Sequence, residues 1–363
     1  MKKSLIALAA LAAVTAASAQ STVTVSGGMV LAVGTTKTDA TSTGVTISRQ
    51  TGNLAFKGTE DLGGGLKANF EVQTSIGADA ASARNTAGSV AGATTLGDRG
   101  AYINVQGGFG TVAAGRNNSA VRALFGAIGD VSRLAVTGSN GLSAGNSTKT
   151  SDATGGDANA FTIYGDAYSN FVSYTSPTVS GFTAAIAVAP IDGNTTATKD
   201  TMSYTFQYAN GPLTAAYNLT DSRQTHAGQA IVSNSAATTD KIYIAAVGAY
   251  KMTTILASYD LGVAKLGITR QSVNLATGVN PGAGTAFTVN VPFGATSLGL
   301  GYGNRTNTAV TDLQFGDGVK QMFVGLRHDL SKRTHVQAVY AKIDRQSTTA
   351  DVNQTHVLLG HSF

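Results

Sequence analysis

Residues 66–73 read Leu66-Lys67-Ala68-Asn69-Phe70-Glu71-Val72-Gln73. In an extended chain Leu66, Ala68, Phe70 and Val72 share one face, and Lys67, Asn69, Glu71 and Gln73 share the other. A period of two marks a strand whose two faces meet different surroundings. Ile103-Asn104-Val105-Gln106 and Leu54-Ala55-Phe56-Lys57 repeat the scheme. Over 183–189 and 297–302 small residues occupy the second face, so the phase of those strands stays open. Short turns rich in Gly, Asp, Asn and Pro fall at 60–65, 107–110, 176–181, 210–212, 260–264, 292–295 and 329–334. Between them lie longer polar stretches at 34–52, 75–98, 116–167, 190–201, 220–240, 272–285, 304–319 and 344–353. Seven short and eight long connections alternate, which predicts 16 strands with both termini on the short-turn side. Residues 242–259 read as one long strand or two.

A soluble sandwich of this length would bury one face of every strand in a dry, bulky core. Here the second face is polar and small while the first is apolar along nearly every strand. Hydrocarbon requires every backbone N–H and C=O to be paired, which a sheet achieves only by closing on itself. Apolar-out, polar-in strands joined by short turns at one end and long loops at the other are the pattern of a transmembrane barrel. The alternating pattern therefore predicts an all-β, 16-stranded antiparallel transmembrane β-barrel. After the N-terminus the longest apolar run, 242–250, has nine residues, whereas a spanning helix needs about 20.

The N-terminus bears on the compartment. Met1-Lys2-Lys3 precedes an apolar stretch over 5–17, and Ala17-Ser18-Ala19 precedes Gln20. A basic start, a short apolar segment and a small-x-small site predict a secretory signal peptide over 1–19, with the barrel occupying 20–363. The chain has no Cys, which excludes a disulfide framework, a thiol nucleophile and thiolate metal sites. Charged residues are only 12% of the chain and the net charge of +5 is scattered, so no nucleic-acid partner is expected.

Catalytic chemistry is not visible. Gly141-Leu142-Ser143-Ala144-Gly145 matches G-x-S-x-G, but it lies in a polar loop rather than at a strand-to-helix turn. His226, His328, His335, His356 and His361 show no metal-ligand spacing. His328 and His361 fall near strand ends at the short-turn side, where an interfacial belt explains them. The Gly299-x-Gly301-x-Gly303 run lacks a following helix to cradle phosphate, and reads as relief of crowding in a bent wall. No catalytic residue, cofactor or metal site is expected.

Several segments carry a resemblance: Phe56-Lys57-Gly58-Thr59-Glu60-Asp61-Leu62-Gly63-Gly64-Gly65-Leu66-Lys67, Gly107-Gly108-Phe109-Gly110-Thr111, Gly115-Arg116-Asn117, Tyr259-Asp260-Leu261-Gly262-Val263-Ala264-Lys265, Asp329-Leu330-Ser331-Lys332-Arg333-Thr334 and the terminal His361-Ser362-Phe363. Through them the chain resembles the general diffusion porins of Gram-negative outer membranes, the beta-proteobacterial type most of all. The resemblance implies a homotrimer of barrels in the outer membrane, in contact with its lipid and lipopolysaccharide, each with a water-filled pore for passive diffusion of ions and small hydrophilic solutes. It also implies a third loop folded inward, and 116–167 is the third and longest long connection. Phe363, preceded by alternating Leu359 and Val357, is similar to the sorting signal read by the barrel-insertion machinery.

In such porins basic wall side chains face acids on the inward loop. Arg116 matches one wall arginine, but Asn53 stands where the family has a second, and Ala167-Tyr168-Ser169-Asn170 where it has a third. The loop segment Leu124-Phe125-Gly126 lacks the family's frequent Glu, leaving Asp130 as the nearest acid. Over 116–137 the arginines Arg116, Arg122 and Arg133 oppose only Asp130, which predicts a weak preference for anions. Alternation adds Lys57, Lys67 and Arg327 to the lumen, with Glu71 opposing. Arg122 and Arg133 could instead pair with acids such as Asp130, Asp152 or Asp157 and cancel. A substrate-specific channel, a surface adhesin and a barrel enzyme are the competing readings; stepwise conductance in a planar bilayer marks a water-filled pore against the last two, and saturation by one solute marks a specific channel.

Overall fold

The computed structural model describes residues 22–38, 45–76, 96–134, 167–190, 200–222, 250–275, 283–306, 318–345 and 351–363. The proposed signal segment 1–19 lies outside these residues. Sixteen strands form one closed barrel in which each pairs antiparallel with its sequence neighbours and β1 pairs with β16. They are β1 (Thr22–Thr38), β2 (Thr46–Gly63), β3 (Leu66–Ser75), β4 (Gly100–Gly107), β5 (Gly110–Asn118), β6 (Ala167–Thr175), β7 (Phe182–Ala189) and β8 (Thr201–Asn210). The circuit continues through β9 (Leu213–Ser222), β10 (Tyr250–Asp260), β11 (Lys265–Leu275), β12 (Ala283–Phe293), β13 (Thr296–Thr306), β14 (Val319–Asp329), β15 (Thr334–Arg345) and β16 (Val352–Ser362). The barrel closes through a register running from Gly28 opposite Ser362 to Thr38 opposite Val352. Gly27 and Phe363 then exchange two backbone hydrogen bonds of 3.0 Å at the short-turn rim.

The alternation works as its chemistry demands. On β14, Met322, Val324 and Leu326 are exposed on the outer surface, while Gln321 and Phe323 between them are buried inside. On β16, Val357, Leu359 and Phe363 face out, and His356 and Leu358 face in. With no helix long and apolar enough to span a membrane among the described residues, this outer row is the crossing surface.

The seven short connections fall where the sequence places them, and two show why. At the β2–β3 turn Gly63, Gly64 and Gly65 take φ of 80°, 60° and 82°, a left-handed run that only glycine sustains without strain. The Asp61 carboxylate accepts from the Gly63 N–H at 2.9 Å, and Asp260 repeats the device with Gly262 at 2.8 Å.

The first long connection is shorter than expected. Instead of 34–52, β1 runs to Thr38 and β2 starts at Thr46, with Gly34 opposite Thr46. A tilted strand needs about 9–11 residues to cross hydrocarbon, and β2 has 18. Its surplus residues project past the apolar band, where no apolar face is required and the sequence looks like loop. Of 242–259, β10 accounts for Tyr250 onward, and the residues before it lie outside those described.

Candidate functional site

The connection after β5 enters the barrel. Ser119 caps a short helix, α1 (Ala120–Leu124), its Oγ accepting from the Arg122 N–H at 3.3 Å. A single π-helical turn (Phe125–Gly129) follows and closes with Asp130 N–H donating to Phe125 O at 2.8 Å. The sequence reading gave this stretch no helix, although Ser119 ahead of Ala120-Val121-Arg122-Ala123-Leu124 is an ordinary capping signal. Leu124, Phe125, Ile128 and Leu134 are buried in one cluster with Ala32, Ala216, Leu256, Ala286, Phe323, Val339, Ala341 and Leu358. An apolar band on the inner wall thus receives the apolar side of the loop, and burying each large side chain contributes about 1.5–3 kcal/mol.

Beyond the π-turn, residues 129–134 form a strap lying on the inner wall. Thr288 Oγ1 donates to Gly129 O at 2.8 Å and accepts from the Val131 N–H at 3.2 Å. Asn290 Nδ2 donates to Ser132 O at 3.2 Å, and Gln337 Nε2 to Arg133 O at 3.3 Å. Arg133 sits in the left-handed region with φ 63°, a conformation that costs a non-glycine residue of order 1–3 kcal/mol. Its guanidinium reaches Asp329 Oδ2 at 2.8 Å, while Arg327 Nε holds Asp329 Oδ1 at 2.8 Å. Two arginines therefore share one carboxylate, a triad that by itself carries one net positive charge.

The alternative expectation pairs Arg122 and Arg133 with acids such as Asp130, Asp152 or Asp157. For Arg133 the partner is Asp329, 196 residues away, and 152 and 157 lie outside the described residues. Asp130 is occupied with the strap itself. Its Oδ1 accepts from Ser132 N at 3.0 Å and Ser132 Oγ at 2.6 Å. Burial pushes its carboxyl up from the ordinary carboxylate value, against the opposing pull of those Ser132 hydrogen bonds. Through Ser132 it braces the loop.

Elsewhere on the wall Lys57 pairs with Glu71 at 3.3 Å across β2 and β3, and Tyr102 Oη donates to the same carboxylate at 2.8 Å. This compensates the charge of Lys57. Asn53 stands opposite Ser75 and Lys67 opposite Gln106, on the lumenal row with Lys57 and Glu71. The β4–β5 register sets Arg116 opposite Ala101. Gly115 before it has φ 135°, and the register with β6 shifts there, so the alternation of β5 is broken at this position. Arg116 Nε donates to Asp98 O at 3.0 Å, tying it to the chain entering β4. His328 and His361, each joined to a cross-strand threonine at 2.8 Å and 2.9 Å, sit on exposed ends at the short-turn side. Among the described residues there is no group of His, Asp or Glu arranged to hold a metal ion.

A closed barrel of this strand number with a loop seated inside defines a membrane channel. The profile of the Gram-negative porin family matches residues 7–348, and the chain belongs to that family. It is 30% identical over 344 residues to outer membrane porin protein 32 of Delftia acidovorans, covering 92% of this chain and 87% of that one. To the major outer membrane protein P.IB of Neisseria lactamica it is 29% identical over 346 residues, covering 92% and 91%. Among solved structures it superposes on an anion-selective porin from Comamonas acidovorans with a TM-score of 0.68 at 23% identity, over 95% of this chain and 100% of that one. OmpT of Vibrio cholerae, in its trimer form, gives 0.64 at 14% identity over 94% and 99%. The chain is thus an outer-membrane porin, a passive diffusion channel rather than an enzyme.

Proposed function

We propose that this porin carries ions and small hydrophilic solutes with a weak preference for anions, set chiefly by Arg133 and Arg327. The observation that carries the reading is the strap cluster, where two guanidiniums share the single carboxylate of Asp329. A fixed positive charge beside a narrow aqueous path with low-dielectric walls raises the local anion concentration. Lys67 and the half-buried Arg122 add to it, while the Lys57–Glu71 pair cancels. Reversal potentials in a potassium chloride gradient are expected to show anion selectivity that fades as the Debye length falls from about 10 Å at 0.1 M to about 3 Å at 1 M. Arg133→Gly, which keeps the backbone conformation but removes the charge, shifts the reversal potential toward cation preference. A cation-selective wild type, or an unchanged Arg133→Gly variant, overturns the assignment.

The same reading includes a homotrimer seated in outer-membrane lipid and lipopolysaccharide, and delivery by the barrel-insertion machinery through Phe363. Purified protein is expected to run as a β-rich trimer that resists detergent until heated. A single protomer mass by light scattering in mild detergent would remove the trimer and leave the channel standing.

A further inference from the structure

The strap approaches the wall more closely than side chains would permit. Facing it, the lumenal row carries Gly267 on β11, Gly299 on β13 and Gly325 on β14. Gly267 pairs with Thr288, Asn290 with Gly299, and Gly299 with Gly325, so the row crosses four adjacent strands. Both non-glycine positions between, Thr288 and Asn290, hydrogen-bond the strap.

A Cβ added at Gly299 would stand 2.5 Å from Ser132 O and 2.7 Å from Leu134 Cγ. At Gly267 it would stand 2.8 Å from Gly129 O and 3.3 Å from Val131 Cγ1, besides 2.5 Å from Thr288 Oγ1 in the wall. At Gly325 it would stand 2.9 Å from Leu134 Cδ1, and 2.7 Å from Ala338 O. The strap answers with its own glycine, since a Cβ at Gly129 would collide with Thr269 Oγ1 and reach Leu256 Cδ2 at 3.0 Å. Gly301 differs, because there the added carbon meets the Phe323 ring of the neighbouring strand. So the glycine run of β13 has two roles: Gly301 makes room for a wall side chain, and Gly299 makes room for the loop.

We propose that Gly267, Gly299 and Gly325 form a recessed seat that fixes how deeply the strap lies against the wall, and thereby set the pore cross-section and the largest solute admitted. The proposal rests on the channel reading. A methyl group at the seat cannot displace the wall backbone, whose hydrogen bonds are tied on both sides. It lifts the strap toward the barrel axis and narrows the path.

The test uses full-length protein purified and reconstituted as wild type, Gly299→Ala, Gly299→Val and Gly58→Ala. Gly58 serves as control because the three atoms nearest its added carbon all belong to the exposed Phe70 ring on the outer row, away from the strap. Single-channel conductance in potassium chloride and liposome swelling with uncharged sugars of increasing size are read for each. Conductance is expected to fall from Gly to Ala to Val, with loss of the larger sugars, while Gly58→Ala keeps wild-type values. In a background lacking residues 126–134 the Gly299→Val effect disappears. Far-UV circular dichroism and heat-shifted gel migration establish folding, and Gly299→Ala is the milder variant on which the result stands if Val disrupts the barrel. Unchanged or increased conductance in a folded Gly299 variant, or an equal loss without the strap, overturns the seat. A wild type without stepwise conductance fails the channel reading instead.

Discussion

Ile128→Asp is expected to open the pore. Ile128 is 2% exposed, in the apolar cluster that binds the π-turn to the inner wall. Losing a buried isoleucine removes about 1.5–3 kcal/mol of burial, and an unpaired carboxylate in its place adds a desolvation cost of several kcal/mol. The four wall-to-strap hydrogen bonds of Thr288, Asn290 and Gln337, at about 0.5–1.5 kcal/mol net each, together contribute about 2–6 kcal/mol. The substitution removes a comparable amount, and the segment is expected to leave the wall. Single-channel recordings should show higher and noisier conductance, and swelling assays should admit sugars the wild type excludes. A variant with wild-type conductance and size limit would show that the apolar band does not hold the loop.

Phe363→Asp is expected to abolish most outer-membrane accumulation while leaving the refolded pore intact. Phe363 is half exposed on the outer row at the short-turn rim. A charge on the lipid face near the interface costs about 0–1 kcal/mol. The substitution also keeps both backbone bonds to Gly27 and forfeits only the cover that the Phe363 ring gives that glycine. Neither loss explains disappearance of the assembled protein, so a large drop points to recognition during insertion. Quantitative blotting of outer-membrane fractions beside conductance of protein refolded in detergent separates the two. Normal membrane levels would count against a sorting role.

The short-turn end was legible because its signals are local. Asp61 with Gly63 and Asp260 with Gly262 are contained within three residues each, and the glycines declare the left-handed backbone directly. The start of β2 was hidden for the opposite reason. Outside hydrocarbon a barrel strand is polar on both faces, and Thr46-Ile47-Ser48-Arg49-Gln50 looks no different from loop. At the site, the sequence marked Arg133 and Arg327 separately but not the Asp329 that joins them. Thr288 and Gly129 meet across 159 positions, a distance over which neither period nor spacing carries information. The sequence marks Asp130 as the acid nearest the arginines but not the Ser132 hydrogen bonds that make it a brace of the loop. Gly299 was read as a property of the wall alone because its neighbour belongs to another part of the chain.

The seam between β1 and β16 has a bearing on biogenesis. Every other pairing joins strands consecutive in the sequence. Loop-closure entropy grows only as about (3/2)RT ln n, so joining the two ends is not prohibitive, but it is the one step that needs the final strand. Until then the sheet has two open edges, each a row of unpaired amides able to recruit another chain. A polypeptide that stops before residue 352 cannot remove them, however well its other strands have formed. The register at Gly28–Thr38 is therefore where the whole length of the chain is put to the test. A shortened or shifted chain keeps an open edge there, however regular the rest of its sheet.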